Sequence, residues 1–179
     1  NGAELFGKTL GIIGFGNIGS TVGKYAQALG MNVLAFDPFR DQANIIAQGA
    51  ECVNFDELLS RSDMISIHAP YKEQNHHLIN DEAFAKMKDG VFLVDDARGG
   101  IVDEEALLRA LESGKVRGAA LDVYEKEPPI NWDLVKHPKV IATPHIGAQT
   151  KEAQCRAAVD ISTEVLNALN GKPLRWRIC

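Results

Sequence analysis

Cysteine is scarce in this chain of 179 residues: Cys52, Cys155 and Cys179 are odd in number, widely separated, and form no C-x-x-C pair. Thiols so placed argue against a disulfide framework or a thiolate metal centre, so no metal is expected, and they suit a reducing, cytoplasmic setting. A basic excess is lacking as well. With a net charge of −5 the sequence gives no electrostatic footprint for nucleic acid or an anionic membrane. No apolar run approaches the roughly 20 residues that a bilayer-spanning helix needs. Internal repeats, low-complexity tracts and linkers are also missing. The sequence opens on Asn1-Gly2 rather than methionine, so the lack of a targeting signal carries no weight. Its apolar share of 45% and charged share of 24% are ordinary for a globular chain, and the length suffices to bury a full core.

What is present is organised around residues 8–37. An apolar run at 9–13 meets Gly14, Gly16 and Gly19, a helical pattern follows through Ile18, Val22, Tyr25, Ala26 and Leu29, and Gly30 is placed to stop it. A second apolar run at 32–36 ends on Asp37, 18 residues after Gly19. Strand, glycine-rich turn, helix and strand are the parts of a dinucleotide site. Gly14 allows a tight turn, Gly16 lets the backbone approach a pyrophosphate, and Gly19 lets the helix pack close to the sheet. The pyrophosphate would meet free N–H groups at the helix start near Asn17 and Ile18. A carboxylate at Asp37 suits a ribose with free hydroxyls and repels a 2′-phosphate, which favours NAD over NADP.

Strands and helices alternate along the remaining sequence, predicting an α/β doubly wound parallel sheet with helices on both faces. Helices are expected at 41–48, 57–61 with Asp56 as N-cap, 81–88 with Asn80, 104–113 with Asp103 and Gly114, and from Thr150 to Gly171. Short strands are expected at 51–53, 64–67, 91–94, 118–121 and 140–143. The last helix carries Ala158, Ile161, Val165 and Leu169 at helical spacing. Asp37, His68, Arg98, Asp122 and His145 all fall at or just beyond strand ends, on the edge where open α/β sheets bind ligands.

Arg98, flanked by Gly99 and Gly100, has the planar fork that grips a carboxylate with two hydrogen bonds; pairing with Asp95 or Asp96 is the plainer alternative. His145, between Pro144 and Ile146-Gly147-Ala148, is a candidate proton donor and acceptor beside a bound nicotinamide. Glu127, ahead of Pro128-Pro129, is a candidate acceptor from its other ring nitrogen, which would favour the imidazolium. A solvated loop acid and a surface histidine are the plain alternatives. Asp122 is a candidate acceptor for a carboxamide or a loop cap, and His68 a turn stabiliser. His76, His77 and His137 show no partner pattern and are expected to be exposed. Trp132 and Trp176 are read as packing or interface residues rather than a stacking platform.

Four ordered stretches, G-I-I-G-F-G-N-I-G, A-R-G-G-I-V-D-E-E-A-L, G-A-A-L-D-V-Y-E-K-E-P-P and T-P-H-I-G-A-Q-T-K-E-A-Q, resemble the D-isomer-specific 2-hydroxyacid dehydrogenases. The resemblance spans nearly the whole chain and lies nearest the phosphoglycerate-oxidising members. It implies a Rossmann NAD-binding domain at residues 1–171, with residues 172–179 beginning a return to a substrate domain. It also implies Arg98 as carboxylate binder, His145 as acid–base and Glu127 as its partner. Cofactor contacts would fall on Gly14, Gly16, Asn17, Ile18, Gly19, Asp37, Ala69, Pro70, Asp96, Ala97, Arg98, Asp122, His145, Gly147 and Ala148. A small 2-hydroxyacid or 2-ketoacid substrate and a homodimer follow from the same resemblance. Formate dehydrogenases carry glutamine where Glu127 stands, which disfavours that branch. The family usually has asparagine at Asp95 and threonine at Asn75. Alternatives within reach of these motifs are glyoxylate/hydroxypyruvate reductase, D-lactate dehydrogenase, and an NAD(H)-sensing corepressor-like binding module.

Overall fold

The computed structural model describes residues 2–177, so Cys179 lies outside the described residues. Seven parallel strands are ordered β3-β2-β1-β4-β5-β6-β7. They are β1 (Thr9–Ile13), β2 (Asn32–Phe36), β3 (Glu51–Cys52), β4 (Met64–Ile67), β5 (Val91–Asp95), β6 (Val116–Leu121) and β7 (Val140–Ala142). The helices are α1 (Asn17–Ala28), α2 (Gln42–Ile46), α3 (Phe55–Arg61), α4 (Asp81–Lys86), α5 (Glu104–Ser113), α6 (Trp132–Val135) and α7 (Lys151–Leu169). The order reverses between β1 and β4, where Ile13 pairs with Ile67 on one side and Phe36 on the other. That reversal makes the doubly wound sheet and opens a crevice above β1 and β4.

Alternation along β1 and β2 feeds two cores. Ile13 and Leu34 join Leu58, Ile65, Leu93, Leu107 and Leu134 on one face. Leu10, Ile12, Val33 and Ala35 join Phe15, Ala26 and Ile45 on the other. Successive strand residues point to opposite faces, so a strand covered on both sides reads as a continuous apolar run.

Several boundaries follow from caps. Gly30, at φ +78°, ends the α1 segment, its N–H bonded to Gln27 O. Asn80 and Asp103 each accept an N–H in the first turn of α4 and α5. Asp56 does not cap α3, contrary to expectation. Asn54 does so, accepting from Glu57 N while the Glu57 carboxylate accepts from Asn54 N. This reciprocal box satisfies two orphan donors at once, and it leaves Asp56 to pair with Lys86 at 2.8 Å. The four-residue α6, capped by Asn131, was not expected from the sequence.

Contacts divide the chain into two compact units, Asn1–Pro144 and His145–Cys179. In the second, Thr150 caps α7 through Ala153 N. Glu164 accepts the backbone N–H groups of Arg175 and Trp176, folding the tail back along the helix. The stripe expected at Ala158, Ile161, Val165 and Leu169 lies exposed, Leu169 at 79%.

Candidate functional site

The crevice is built where β1 and β4 part. Gly14 leaves β1 at φ +89°, and a Cβ on it would stand 2.7 Å from Ala69 N and 2.8 Å from the carbonyl carbon of His68. Only glycine lets this turn lie so close to the segment after β4. Gly16 is the residue before α1, with open space beside it, and Asn17 and Ile18 are exposed in its first turn. The first-turn N–H groups of a helix have no intrahelical acceptor, which is what anion binding at a helix start uses. Gly19 is buried, and any side chain there would strike the Gly14 carbonyl oxygen.

Asp37 follows β2 and is tied to the glycine turn. One carboxylate oxygen accepts from Phe15 N at 2.9 Å and the other from Phe39 N at 3.0 Å. Beside it lies a cavity of about 440 Å³ lined by Gly14, Asp37, Phe39, Ala69, Pro70 and Lys72, among others. The Lys72 ammonium sits 4.2 Å over the Phe39 ring. Asn75 holds this wall, donating to Pro70 O and accepting from Lys72 N. Phe39 and Lys72 have no role assigned from sequence, the available signal being an aromatic two residues past the strand-end acid; Asn75, where the family usually has threonine, is the residue expected to alter a cofactor-side contact.

Further along the same edge, His68 follows β4 with its side chain 3% exposed. It lies 2.9 Å from Ser66 Oγ and 3.3 Å from the Asp96 carboxylate. It is thus held from both sides, as a turn stabiliser would be. Asp95 closes β5 and is buried, with Oδ1 accepting from Ala97 N at 3.0 Å. Burial pushes its pKa up to about 7. Arg98 is exposed and donates to Ala97 O at 2.6 Å. Among the described residues it forms no ion pair with Asp95 or Asp96. Asp122, after β6, is buried and accepts from Thr143 Oγ1 at 2.6 Å.

The loop after β6 is locked against the Arg98 turn. Tyr124 OH donates to Leu121 O and Thr143 O, and Glu127 accepts from Tyr124 N at 3.3 Å. A Cβ on Gly99 would collide with the Tyr124 carbonyl oxygen, so a bare backbone here brings the two loops into contact. His77 completes the lock and corrects the expectation of an exposed, unpaired histidine. It is half-buried, 2.7 Å from Glu125 and 3.8 Å from Asp103, and His76 stacks on it. Residues far apart in sequence meet here because His77 N bonds to Gly100 O. His137 is also half-buried, accepting from Lys139 N. Glu104, in the same cluster, has its pKa raised by burial and then by neighbouring carboxylates including Glu125.

In the second unit, His145 adopts φ +55°. Ile146 O accepts from Gln149 N, and Ala148 O from the Gln154 side chain. These bonds shape the 145–149 turn ahead of α7.

In the first unit, then, the edge brings together Gly14, Gly16, Asn17, Ile18, Asp37, Ala69, Pro70, Asp96, Ala97, Arg98 and Asp122 around a glycine turn and a strand-end acid. The glycine turn, the helix start and Asp37 beside the cavity offer the donors and the acceptor that a nicotinamide dinucleotide requires. The sequence model described as "D-isomer specific 2-hydroxyacid dehydrogenase, NAD binding domain" matches residues 1–147. A D-3-phosphoglycerate dehydrogenase of Bacillus subtilis is 51% identical over 97% of this chain and 33% of its own length. A hydroxypyruvate reductase of Thermotoga maritima is 49% identical over 94% of this chain and 55% of its own length. Among solved structures, a glyoxylate reductase from Paecilomyes thermophila superposes with TM-score 0.90 at 41% identity, covering 97% of this chain and 53% of that one. The chain therefore spans between a third and just over half the length of these relatives. It belongs to the D-isomer specific 2-hydroxyacid dehydrogenase family and carries that family's NAD-binding domain.

Proposed function

We propose that the protein is an NAD-dependent dehydrogenase of small D-2-hydroxyacids, with D-3-phosphoglycerate as its substrate. The observation that carries this reading is the meeting, on one sheet edge, of the glycine turn, Asp37 and an exposed guanidinium at Arg98. The narrower choice of substrate is supported by relatives named D-3-phosphoglycerate dehydrogenase at 51% and 49% identity. A 49% identical hydroxypyruvate reductase supports the second reading, reduction of a 2-ketoacid such as hydroxypyruvate.

In this reading Gly14, Gly16, Asn17, Ile18 and Gly19 hold the pyrophosphate, and Asp37 holds the adenosine ribose. Ala69 and Pro70 wall the cavity; Asp96, Ala97, Asp122, Gly147 and Ala148 receive the nicotinamide end. NAD, when bound, would accept the C2 hydrogen of the hydroxyacid as a hydride, and NADH would return it in the reverse direction. Arg98 grips the substrate carboxylate through its fork and so orients C2. His145 takes the hydroxyl proton during oxidation and returns it during reduction. Glu127 accepts from the other imidazole nitrogen, fixing the tautomer and favouring the charged form. The protein acts as a cytoplasmic homodimer paired through this domain, which sedimentation would test. Among the described residues no helix is long and apolar enough to cross a membrane.

The test is turnover of a panel of D-2-hydroxyacids by the full-length protein with NAD. D-3-phosphoglycerate is expected to give the highest kcat/KM. His145→Ala is expected to lower kcat by about 10²–10⁴-fold. Full turnover by that variant would remove His145 from the chemistry. NADH-dependent capture of a peptide, with no hydroxyacid oxidised, would favour a binding module instead.

A further inference from the structure

His77 lies on the segment between β4 and α4 and holds φ at +50°. A histidine in that left-handed region carries backbone strain, which persists where the surroundings over-determine it. Here two bonds do so, one from the backbone and one from the side chain. His77 N donates to Gly100 O at 2.8 Å, and the imidazole Nε2 lies 2.7 Å from Glu125 Oε1. The other ring nitrogen faces Asp103 Oδ2 at 3.8 Å, while Asp103 Oδ1 caps α5.

The two bonds land on the two loops that carry the proposed chemistry. Gly100 is two residues past Arg98, and Glu125 is two residues ahead of Glu127. The loops also touch directly. Gly99 leaves no room for a Cβ beside the Tyr124 carbonyl oxygen, and the Glu127 carboxylate accepts from Tyr124 N at 3.3 Å. Glu125 is fixed from a second side, its N–H donating to Glu104 Oε1 at 2.8 Å. Rings extend the contact: His76 stacks on His77 with centroids 3.8 Å apart, and Tyr71 meets His76 edge-on. A Cβ on Gly100 would stand 3.1 Å from the Tyr71 ring, so the arginine turn is packed against this segment as well as bonded to it.

We propose that His77 is a positioning residue for the reaction: its imidazole holds Glu125 against the segment whose backbone holds Gly100, and so sets the spacing of Arg98 and Glu127. It acts through these two loops rather than by touching substrate or cofactor. Without the imidazole the Glu125 carboxylate loses its partner, and the 124–127 backbone is free to move off Gly99. The guanidinium and the Glu127 carboxylate then no longer stand at a fixed separation. A misplacement on the order of 1 Å is enough to forfeit much of what orientation contributes to a reaction. This inference rests on the assignment of Arg98 and Glu127 to the reacting end of the site.

The experiment is steady-state kinetics of the full-length protein with NAD and the D-2-hydroxyacid it turns over fastest. His77→Leu is expected to raise KM for the hydroxyacid about ten-fold and to lower kcat about ten-fold, with KM for NAD within about two-fold of wild type. His77→Gln, whose amide nitrogen can take the place of Nε2, is expected to recover most of both losses. A merely structural role would remove active molecules, lowering kcat and leaving the hydroxyacid KM as it was. Asn54→Ala, a lost helix cap away from both loops, is the control and should leave that KM unchanged. Glu125→Leu opens the same tie from its other end and gives the same readout if His77→Leu does not fold. The double variant should be no worse than either single one, because both remove one contact. An unchanged hydroxyacid KM in both single variants, no recovery in His77→Gln, or additive losses in the double variant overturns the proposal. Arg98→Gln separates the underlying assignment. A wild-type KM there would overturn Arg98 as the grip and the positioning role with it, whereas a raised KM beside unchanged values in His77→Leu and Glu125→Leu overturns the positioning role alone.

Discussion

Two strand-end aspartates on this edge have opposite surroundings. Asp37 is half-buried and accepts two backbone N–H groups, one on each oxygen. Asp95 is buried with one such donor, and burial dominates its pKa, raising it to about 7 from the ordinary value of 3.8. Its consequence for stability has a definite sign. Between those two values the folded chain retains a proton that the unfolded chain has released, so folding becomes less favourable as pH rises. The cost is absent below about pH 4 and complete above about pH 7, on the order of 2–4 kcal/mol. Asp95→Asn carries no such cost. Its melting temperature is therefore expected to gain on the wild type between about pH 4 and 8, by on the order of 5 °C or more. A difference that stays constant across this range would show that the carboxyl does not titrate there.

At the scale of elements, stability rests on local signals that differ in how well a linear sequence displays them. The strand–turn–helix–strand at 8–37 was legible because β1, α1 and β2 each carry their own apolar period and the glycines lie between them. The start of α3 was misread: both Asn54 and Asp56 are good caps in isolation, and the choice depends on Glu57 closing the box three residues after Asn54. Asn54→Ala is accordingly expected to cost about 1 kcal/mol. Asp56→Ala, which removes an exposed pair with Lys86, is expected to change unfolding free energy by less than about 0.5 kcal/mol. Denaturant titration of the two variants decides between the caps. The α6 turn escaped notice because four residues are too few for a period to show. The His77–Glu125–Asp103 lock was likewise hidden, since its members lie far apart in sequence and meet only after the strands are in register.

Across the whole molecule, strand order turns scattered polar residues into a site. The sequence showed that acids, histidine and arginine end successive strands; the reversal between β1 and β4 is what places Gly14 against Ala69 and opens the crevice beside Asp37. What stayed illegible was how the wall of that crevice is held, by the exposed contact of Lys72 with the Phe39 ring and by two loop hydrogen bonds of Asn75. Every residue assigned to the adenosine and pyrophosphate half lies within the Asn1–Pro144 unit. The 179-residue chain is therefore expected to bind NADH by itself, with heat detected by calorimetry and lost in Asp37→Ala. Turnover should behave differently. The chain spans 33% of the phosphoglycerate dehydrogenase it resembles, and hydride transfer gains from a closed, water-excluding cleft. Its rate on D-2-hydroxyacids should fall at least about 100-fold below that of the full-length protein, a loss in the range that orientation and closure supply. Equal rates would mean that this domain alone completes the reacting site, and absence of NADH binding would mean that the crevice beside Asp37 is not where the dinucleotide lies.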